Sequence, residues 1–452
     1  MAKVRTVYFC SNCGAESAKW IGRCPSCHQW NTYVEEKIAP VKSGYGKSEH
    51  AQRTRPIALK DVQPGKMERQ SSGLKEIDRL LGGGMVPGSI LLLGGEPGIG
   101  KSTLALQIAM QVPCKVLYVS GEESPEQIKL RAERLKARND NCLIFPEVNL
   151  ESIIEQCEQE KPELLIIDSI QTLYTDMLDS GAGSISQIRE CTGQLLKLSK
   201  TTHVPSLLIG HITKDGSLAG PKLLEHIVDT VLQFEGDHQY VFRILRSIKN
   251  RFGSTAELAI FEMEADGLHE IKNPSEIFLN RHDEALSGVA IATTIDGSRS
   301  FLVEIQALVS TAVYGTPQRT ATGFDNRRLN MLLAVLERKA GFNLVSKDVF
   351  LNIAGGLRVQ DPATDLAVAC SILSSAFDRP VDTQTCMAAE ISLTGELKAV
   401  TRIDQRISEA SRLGFRKIVL PKLKKKPVQT AGIEIIQCGT LDHAVKKIFG
   451  KK

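Results

Sequence analysis

The sequence of 452 residues predicts an α/β fold preceded by a short cysteine module and followed by a separate α+β domain. Three observations carry that expectation. From Ile77 to about Glu264, short β-branched runs alternate with helical patterns, which is how a wound parallel sheet reads. Four of the 11 cysteines, Cys10, Cys13, Cys24 and Cys27, crowd the N-terminus while the rest are scattered. After Asn273-Pro274 the pattern changes to Ala-rich helices mixed with strands.

Composition excludes several classes. With 42% hydrophobic and 24% charged residues, the chain falls among ordinary globular proteins, and its length, at about 150 residues per domain, suggests about three folding units. The longest apolar runs, such as Ile90-Leu91-Leu92-Leu93, fall far short of the roughly 18 residues a membrane span needs. The first thirty residues lack the basic start and apolar stretch of a secretory leader, so a cytoplasmic protein is expected. Lys+Arg 56 against Asp+Glu 52 nets only +4, so any nucleic-acid site must be a local patch.

The elements follow in order. Residues 1–34 form the cysteine module. Residues 35–71, with Lys37, Lys42, Lys47, Arg53, Arg55, Lys60, Lys66 and Arg69 and no apolar periodicity, read as a basic linker. In the section 72–273, strands are expected at Ser89–Leu93, Val116–Ser120, Leu164–Asp168, Ser206–Gly210 and Val241–Arg246. Helices are expected at Ser102–Gln111, Glu126–Leu135, Leu150–Glu158, Ser186–Thr201 and Lys222–Ile227. The section 274–452 offers helices at Asn326–Ala340 and Pro362–Ala376 and strands at Ala290–Ile295 and Phe301–Ala307.

Chemistry concentrates in a few motifs. Cys10-x2-Cys13 and Cys24-x2-Cys27 supply two tight turns that can present four thiolates tetrahedrally to one Zn²⁺, and a segment this small needs such a staple. His28 is not counted as a ligand, and Trp20 and Trp30 are expected to pack against the knuckles. Gly95-Glu96-Pro97-Gly98-Ile99-Gly100-Lys101-Ser102, closing with Thr103, matches G-x-x-x-x-G-K-[ST] between a strand and a helix. Its backbone N–H groups turn inward around the phosphates of ATP, Lys101 reaches the β- and γ-phosphates, and Ser102 ligates Mg²⁺. The apolar run Leu164–Ile167 ends in Asp168, placed to face the same Mg²⁺. Glu122 and Glu123 end the intervening strand; Glu122 is taken as the base for the attacking water, with Glu123 as rival. Either acid could instead cap the following helix. His211, at the end of another strand, could sense the γ-phosphate or serve structure alone.

The four-cysteine module, GEPGIGKST, YVSGEES, LLIIDSIQT, GHITKDGSLAGPKLLEH and Lys249-Asn250-Arg251-Phe252-Gly253 together resemble the RadA/Sms family of bacterial recombination and repair proteins, from about residue 7 to 445. The resemblance implies a RecA-like P-loop ATPase domain, an N-terminal zinc module and a C-terminal domain like that of Lon protease. It further implies hexameric rings around single-stranded DNA, branch migration at recombination intermediates, and a RecA-type recombinase as partner. Lys249 and Arg251 would then approach the γ-phosphate of the neighbouring subunit. The glycine-rich segments Ser180–Ser184 and Lys214–Gly220 would face the ring's centre, with Lys214, Lys222 and Arg189 near the phosphate backbone. In the Lon-like domain, Ala363 stands where the family has its serine nucleophile and Asp404 where it has its lysine, so proteolysis should be absent. Lys398, Arg402, Arg406, Arg412, Arg416, Lys417 and Lys422–Lys426 offer basic surface for duplex phosphates, or ordinary solubilising charge. A KaiC-like regulatory ATPase that controls protein partners without moving DNA is the alternative reading.

Overall fold

A computed structural model of the chain describes residues 5–10, 14–38, 68–136, 138–211, 222–235, 242–273, 275, 278–279, 285–312, 317–423 and 432–450. Cys13, most of the basic linker and the segment Lys214–Gly220 lie outside the described residues. The chain divides into two compact units, Met1–Glu270 and Ile271–Lys452.

The first unit opens with an antiparallel ribbon in which β1 (Arg5–Cys10) pairs with both β2 (Glu16–Ser17) and β3 (Tyr33–Ile38). After helix α1 (Lys75–Leu80) come β4 (Ile90–Gly95), α2 (Lys101–Gln111), β5 (Val116–Ser120), α3 (Pro125–Arg134), β6 (Cys142–Phe145), α4 (Leu150–Glu160), β7 (Leu164–Asp168), α5 (Ile185–Thr202), β8 (Ser206–His211), α6 (Lys222–Ile227), β9 (Thr230–Glu235), β10 (Phe242–Asn250), β11 (Leu258–Glu264) and β12 (Gly267–Glu270). Among the described residues these strands form one sheet in the order β12-β11-β10-β9-β4-β8-β7-β5-β6.

From β9 to β6 every pairing is parallel, as expected of a wound sheet. The expected all-parallel pattern fails beyond β9, where β10, β11 and β12 add antiparallel. The connections there are too short for the crossover of a dozen or more residues that parallel neighbours require. The central runs are continuously apolar because both faces are covered. Leu91, Leu93, Tyr118 and Ile166 join one core with α2, while Ile90, Leu92, Leu117, Leu165 and Ile167 join the other with α4 and α5. Parallel winding brings the C-terminal ends of β4, β5, β7 and β8 to one edge, where open α/β sheets place their ligands.

The second unit contains β13 (Val289–Asp296), β14 (Arg299–Thr311), β15 (Arg319–Thr322), α7 (Asn326–Ala340), β16 (Lys347–Ile353), α8 (Asp365–Phe377), β17 (Thr385–Met387), the small β18 (Glu390–Ile391) and β19 (Leu397–Lys398), α9 (Ile403–Arg412), β20 (Lys417–Pro421), β21 (Glu434–Cys438) and α10 (Leu441–Phe449). Its main described sheet runs β15-β16-β14-β13-β17-β20-β21. The helix expected to start at Pro362 begins instead with a tight 3₁₀ turn, Pro362–Thr364, capped by the Asp361 side chain on the Ala363 N–H. Regular α-helix follows only from Asp365.

Candidate nucleotide site

The loop Gly95–Ser102 leaves β4 and enters α2 with Glu96, Pro97 and Gly98 exposed. Gly98 and Gly100 take positive backbone angles, φ 78° and 114°, which glycine adopts without the steric cost a side chain would bring. A Cβ at Gly100 would stand 2.6 Å from the Met263 methyl, which a flexible side chain can yield, so it is the backbone angle that reserves the position for glycine. Lys101 is buried, and its Nζ donates to the carbonyls of Gly95 and Glu96, each at 2.9 Å. Burial lowers its pKa, and Asp168 and Glu122 pull it back up. Helix α2 starts at Lys101, one residue ahead of the start expected at Ser102.

Asp168, at the end of β7, is 4% exposed and accepts a hydrogen bond from the Tyr118 hydroxyl at 2.7 Å. Burial raises its carboxyl, and hydrogen bonds from Tyr118 and Ser102 oppose the rise. Ser102 and Asp168 thus face each other across the mouth of the loop, a hard oxygen pair that suits Mg²⁺.

Glu122 and Glu123 part company just beyond β5. The Oε1 of Glu122 accepts from Ser169 Oγ at 2.6 Å and lies 3.1 Å from His211 Nε2, while Glu123 is ion-paired with Arg131. Neither acid caps α3; that work falls to Ser124, which forms a capping box with Gln127. Sequence reasoning missed Tyr118, Arg131 and Ser169. Only Ser169 had a visible signal, its position directly after Asp168.

Lys249 lies where the register of β10 on β9 shifts, and its Nζ donates to the carbonyls of Glu225 at 2.6 Å, His226 at 3.3 Å and Val228 at 2.7 Å. It therefore caps the end of α6 in its own chain. Burial, and then the Arg251 charge, lower its pKa. Arg251 is half-exposed and pairs with the buried Asp229 at 3.2 Å. Gly181, Ala182 and Gly183 are exposed beyond β7, and Arg189 is exposed on α5.

In the N-terminal ribbon, Cys10, Cys24 and Cys27 bring their sulfurs within 4.8 Å of one another, with Cys10 Sγ and Cys27 Sγ 3.6 Å apart. Zn–S bonds of about 2.3 Å at tetrahedral angles set sulfurs about 3.8 Å apart, so the three fit a zinc centre that Cys13 would complete. Each knuckle is closed by a backbone bond, Gly14 N–H to Cys10 O and His28 N–H to Cys24 O, with Gly14 and His28 both left-handed. The expected packing of the tryptophans is overturned. Trp20 and Trp30 are 53% and 67% exposed, because this ribbon buries only a small core around Cys10, Cys24 and Tyr33 and has no room for indoles.

In the second unit Ala363 is fully buried and Asp404 is exposed in the first turn of α9. Arg406, expected among the basic surface residues, is instead fully buried and holds this neighbourhood together, its guanidinium donating to Asp361 Oδ2 at 2.7 Å, Thr293 O at 2.9 Å and Thr401 O at 3.0 Å.

A glycine-rich loop between strand and helix, with carboxylates at the ends of two neighbouring parallel strands, defines a P-loop ATPase fold. Three family models match parts of the chain: AAA domain over residues 53–217, Rubredoxin metal binding domain over 8–35, and Subunit ChlI of Mg-chelatase over 303–424. The DNA repair protein RadA of Streptococcus pyogenes serotype M6 is 46% identical over 99% of this chain and 100% of its own length. Those of Listeria monocytogenes and Bacillus subtilis are 46% and 45% identical, over 99% and 100% of this chain and 98% and 100% of their own lengths. The chain belongs to the RadA family of DNA repair proteins. Two solved structures are similar over 45% of it: the KaiC-like protein PH0186 of Pyrococcus horikoshii (20% identity, 99% of that chain, TM-score 0.38) and a RadB recombinase (24%, 100%, 0.37). Among the described residues, no helix is long and apolar enough to cross a membrane.

Proposed function

We propose that the protein is a DNA-stimulated ATPase of homologous recombination and repair, which moves along single-stranded DNA as a hexameric ring and drives branch migration. The observation that carries this reading is Glu122, an ionised carboxylate held beside a phosphate loop in a chain whose relatives are DNA repair proteins. In the reaction, water forms a bond to the γ-phosphorus as the bond to the β,γ-bridging oxygen breaks. The proton passes to Glu122, and ADP keeps the electron pair. Lys101 exchanges its bonds to Gly95 O and Glu96 O for phosphate oxygens. Mg²⁺, held by Ser102 and Asp168, would neutralise charge on the β- and γ-phosphates. Lys249 and Arg251 serve the neighbouring subunit's nucleotide, Lys249 leaving the α6 carbonyls as it does so.

In this reading the parts are a zinc module at 1–34 held by Cys10, Cys13, Cys24 and Cys27, a basic linker at 35–71, the ATPase at 72–273 and a Lon-like scaffold at 274–452. With Ala363 in place of a nucleophile, the scaffold does not cut peptides; casein degradation in the presence of ATP would overturn that part. A RecA-type recombinase is the partner in DNA transactions.

The test is steady-state ATP hydrolysis with and without single-stranded DNA at one fixed salt concentration, for wild type, Lys101→Ala and Lys249→Ala. Stimulation by DNA in the wild type, lost in both variants, supports the motor. Hydrolysis indifferent to DNA moves the reading to the regulatory ATPase.

A further inference from the structure

We propose that Ser169 is a positioning residue for hydrolysis: its hydroxyl ties one oxygen of Glu122 to the end of β7 and so keeps the other turned toward the attacking water. The proposal rests on Glu122 being the base.

Glu122 sits beyond the last hydrogen-bonded residue of β5, on a long side chain that is 41% exposed. Left alone, such a side chain populates several rotamers, and only some of them aim at the γ-phosphate. Two donors remove that freedom, and both act on Oε1: Ser169 Oγ at 2.6 Å and His211 Nε2 at 3.1 Å. The Ser169 bond has the length of a charge-assisted hydroxyl–carboxylate bond.

The two donors are not equivalent. His211 is 30% exposed at the rim of the sheet, whereas Ser169 is fully buried. Its surroundings are fixed by Gly121 N–H to Asp168 O at 2.8 Å, Ile170 N–H to Ile209 O at 3.0 Å and the Thr172 hydroxyl to Ser169 O at 2.8 Å. A buried hydroxyl needs a partner, and Glu122 is where this one sends its proton. Burial raises the Glu122 carboxyl; the Ser169 bond, followed by His211 and Lys101, more than offsets it, leaving the group below its ordinary value. Ser169 thus holds the base ionised as well as aimed. Because it directly follows Asp168, one strand end sets both the Mg²⁺-facing carboxylate and the direction of the base.

The experiment measures kcat and KM for ATP, together with the affinity for a non-hydrolysable ATP analogue by calorimetry, on the full chain. Its variants are Ser169→Ala, Ser169→Thr, Glu122→Ala and the double variant Ser169→Ala/Glu122→Ala, and melting temperatures confirm that each folds. General-base catalysis contributes about 10²- to 10⁴-fold, so misaiming the base in Ser169→Ala should lower kcat by about 10- to 100-fold. KM and analogue affinity should stay within about twofold. Ser169→Thr, which keeps the hydroxyl, should recover most of kcat, and in the Glu122→Ala background the serine change should cost nothing further. A kcat within about threefold of wild type in Ser169→Ala overturns the proposal. So does a further loss of about tenfold in the double variant, which would mean Ser169 acts through something other than Glu122. Glu122→Ala hydrolysing at the wild-type rate is a separate failure, that of the base assignment itself.

Discussion

Replacing Asp361 by alanine should loosen the second unit far more than an ordinary surface change. Asp361 Oδ2 accepts from Arg406 at 2.7 Å and from the Ile295 N–H at 2.8 Å, and Oδ1 accepts from the Ala363 N–H at 3.0 Å. Arg406 is fully buried; burial lowers its pKa and Asp361 is what pulls it back. Removing the aspartate leaves a guanidinium away from water with only carbonyl partners, and breaking a buried pair in this way costs about 3–5 kcal/mol. At about 1.36 kcal/mol per decade, local opening becomes about 150- to 5,000-fold more frequent. The assay is amide hydrogen exchange followed by mass spectrometry on peptides spanning 289–307 and 361–377, which cover β13, most of β14 and all of α8. Protection there should fall by at least about a hundredfold, while peptides of the nucleotide sheet stay as they were. Removing the charge as well, in Asp361→Ala/Arg406→Met, should restore part of the protection, since an apolar replacement leaves no unpaired ion. A drop below about tenfold in Asp361→Ala would refute the claim that this ion pair holds the unit together.

Three further outcomes are expected. Lys101→Ala should lower ATP hydrolysis by about 10²- to 10³-fold, the usual loss for one preorganised electrostatic contact, measured as phosphate release. Stripping metal with a chelator, or Cys24→Ser, should bring amide exchange of residues 5–38 to the rate of an unfolded chain and leave β4 to β12 protected; an unchanged module would contradict the metal centre. Asp266 is held down to about 2 by His269 and Lys136. Since its folded pKa lies below the unfolded value near 3.9, its contribution is present above that value and is lost as pH falls through about 2. The gap in melting temperature between wild type and Asp266→Asn should accordingly narrow as the solution is acidified below pH 4.

Much of the nucleotide site was legible because parallel winding makes strand ends converge. A phosphate loop after one apolar run and acids after two others had to meet at one edge, and Val116–Ser120 and Leu164–Asp168 are strands over the ranges read from sequence. What escaped was pairing at long range. Nothing local marks Ser169 as the partner of Glu122, 47 positions away, or Arg406 as the partner of Asp361, 45 away. Strands at and near the sheet's ends escaped for another reason. Cys142–Phe145 is four residues long and only half-buried, too short to show a period, and Leu258–Glu264 with Gly267–Glu270 forms a hairpin whose continuous apolar start gives no direction. The tryptophans misled because aromatic residues beside metal knuckles suggested a core that the ribbon is too thin to provide.

Their exposure makes the ribbon an optical window on itself. The chain has only two tryptophans, and both stand on the metal module with their rings largely in water, Arg23 lying 5.7 Å from the centre of the Trp30 ring. Excitation selective for indole therefore draws its emission from this module alone. Emission that moves to shorter wavelength when another macromolecule is added would report that the visitor has touched this module, with no label attached and no residue changed.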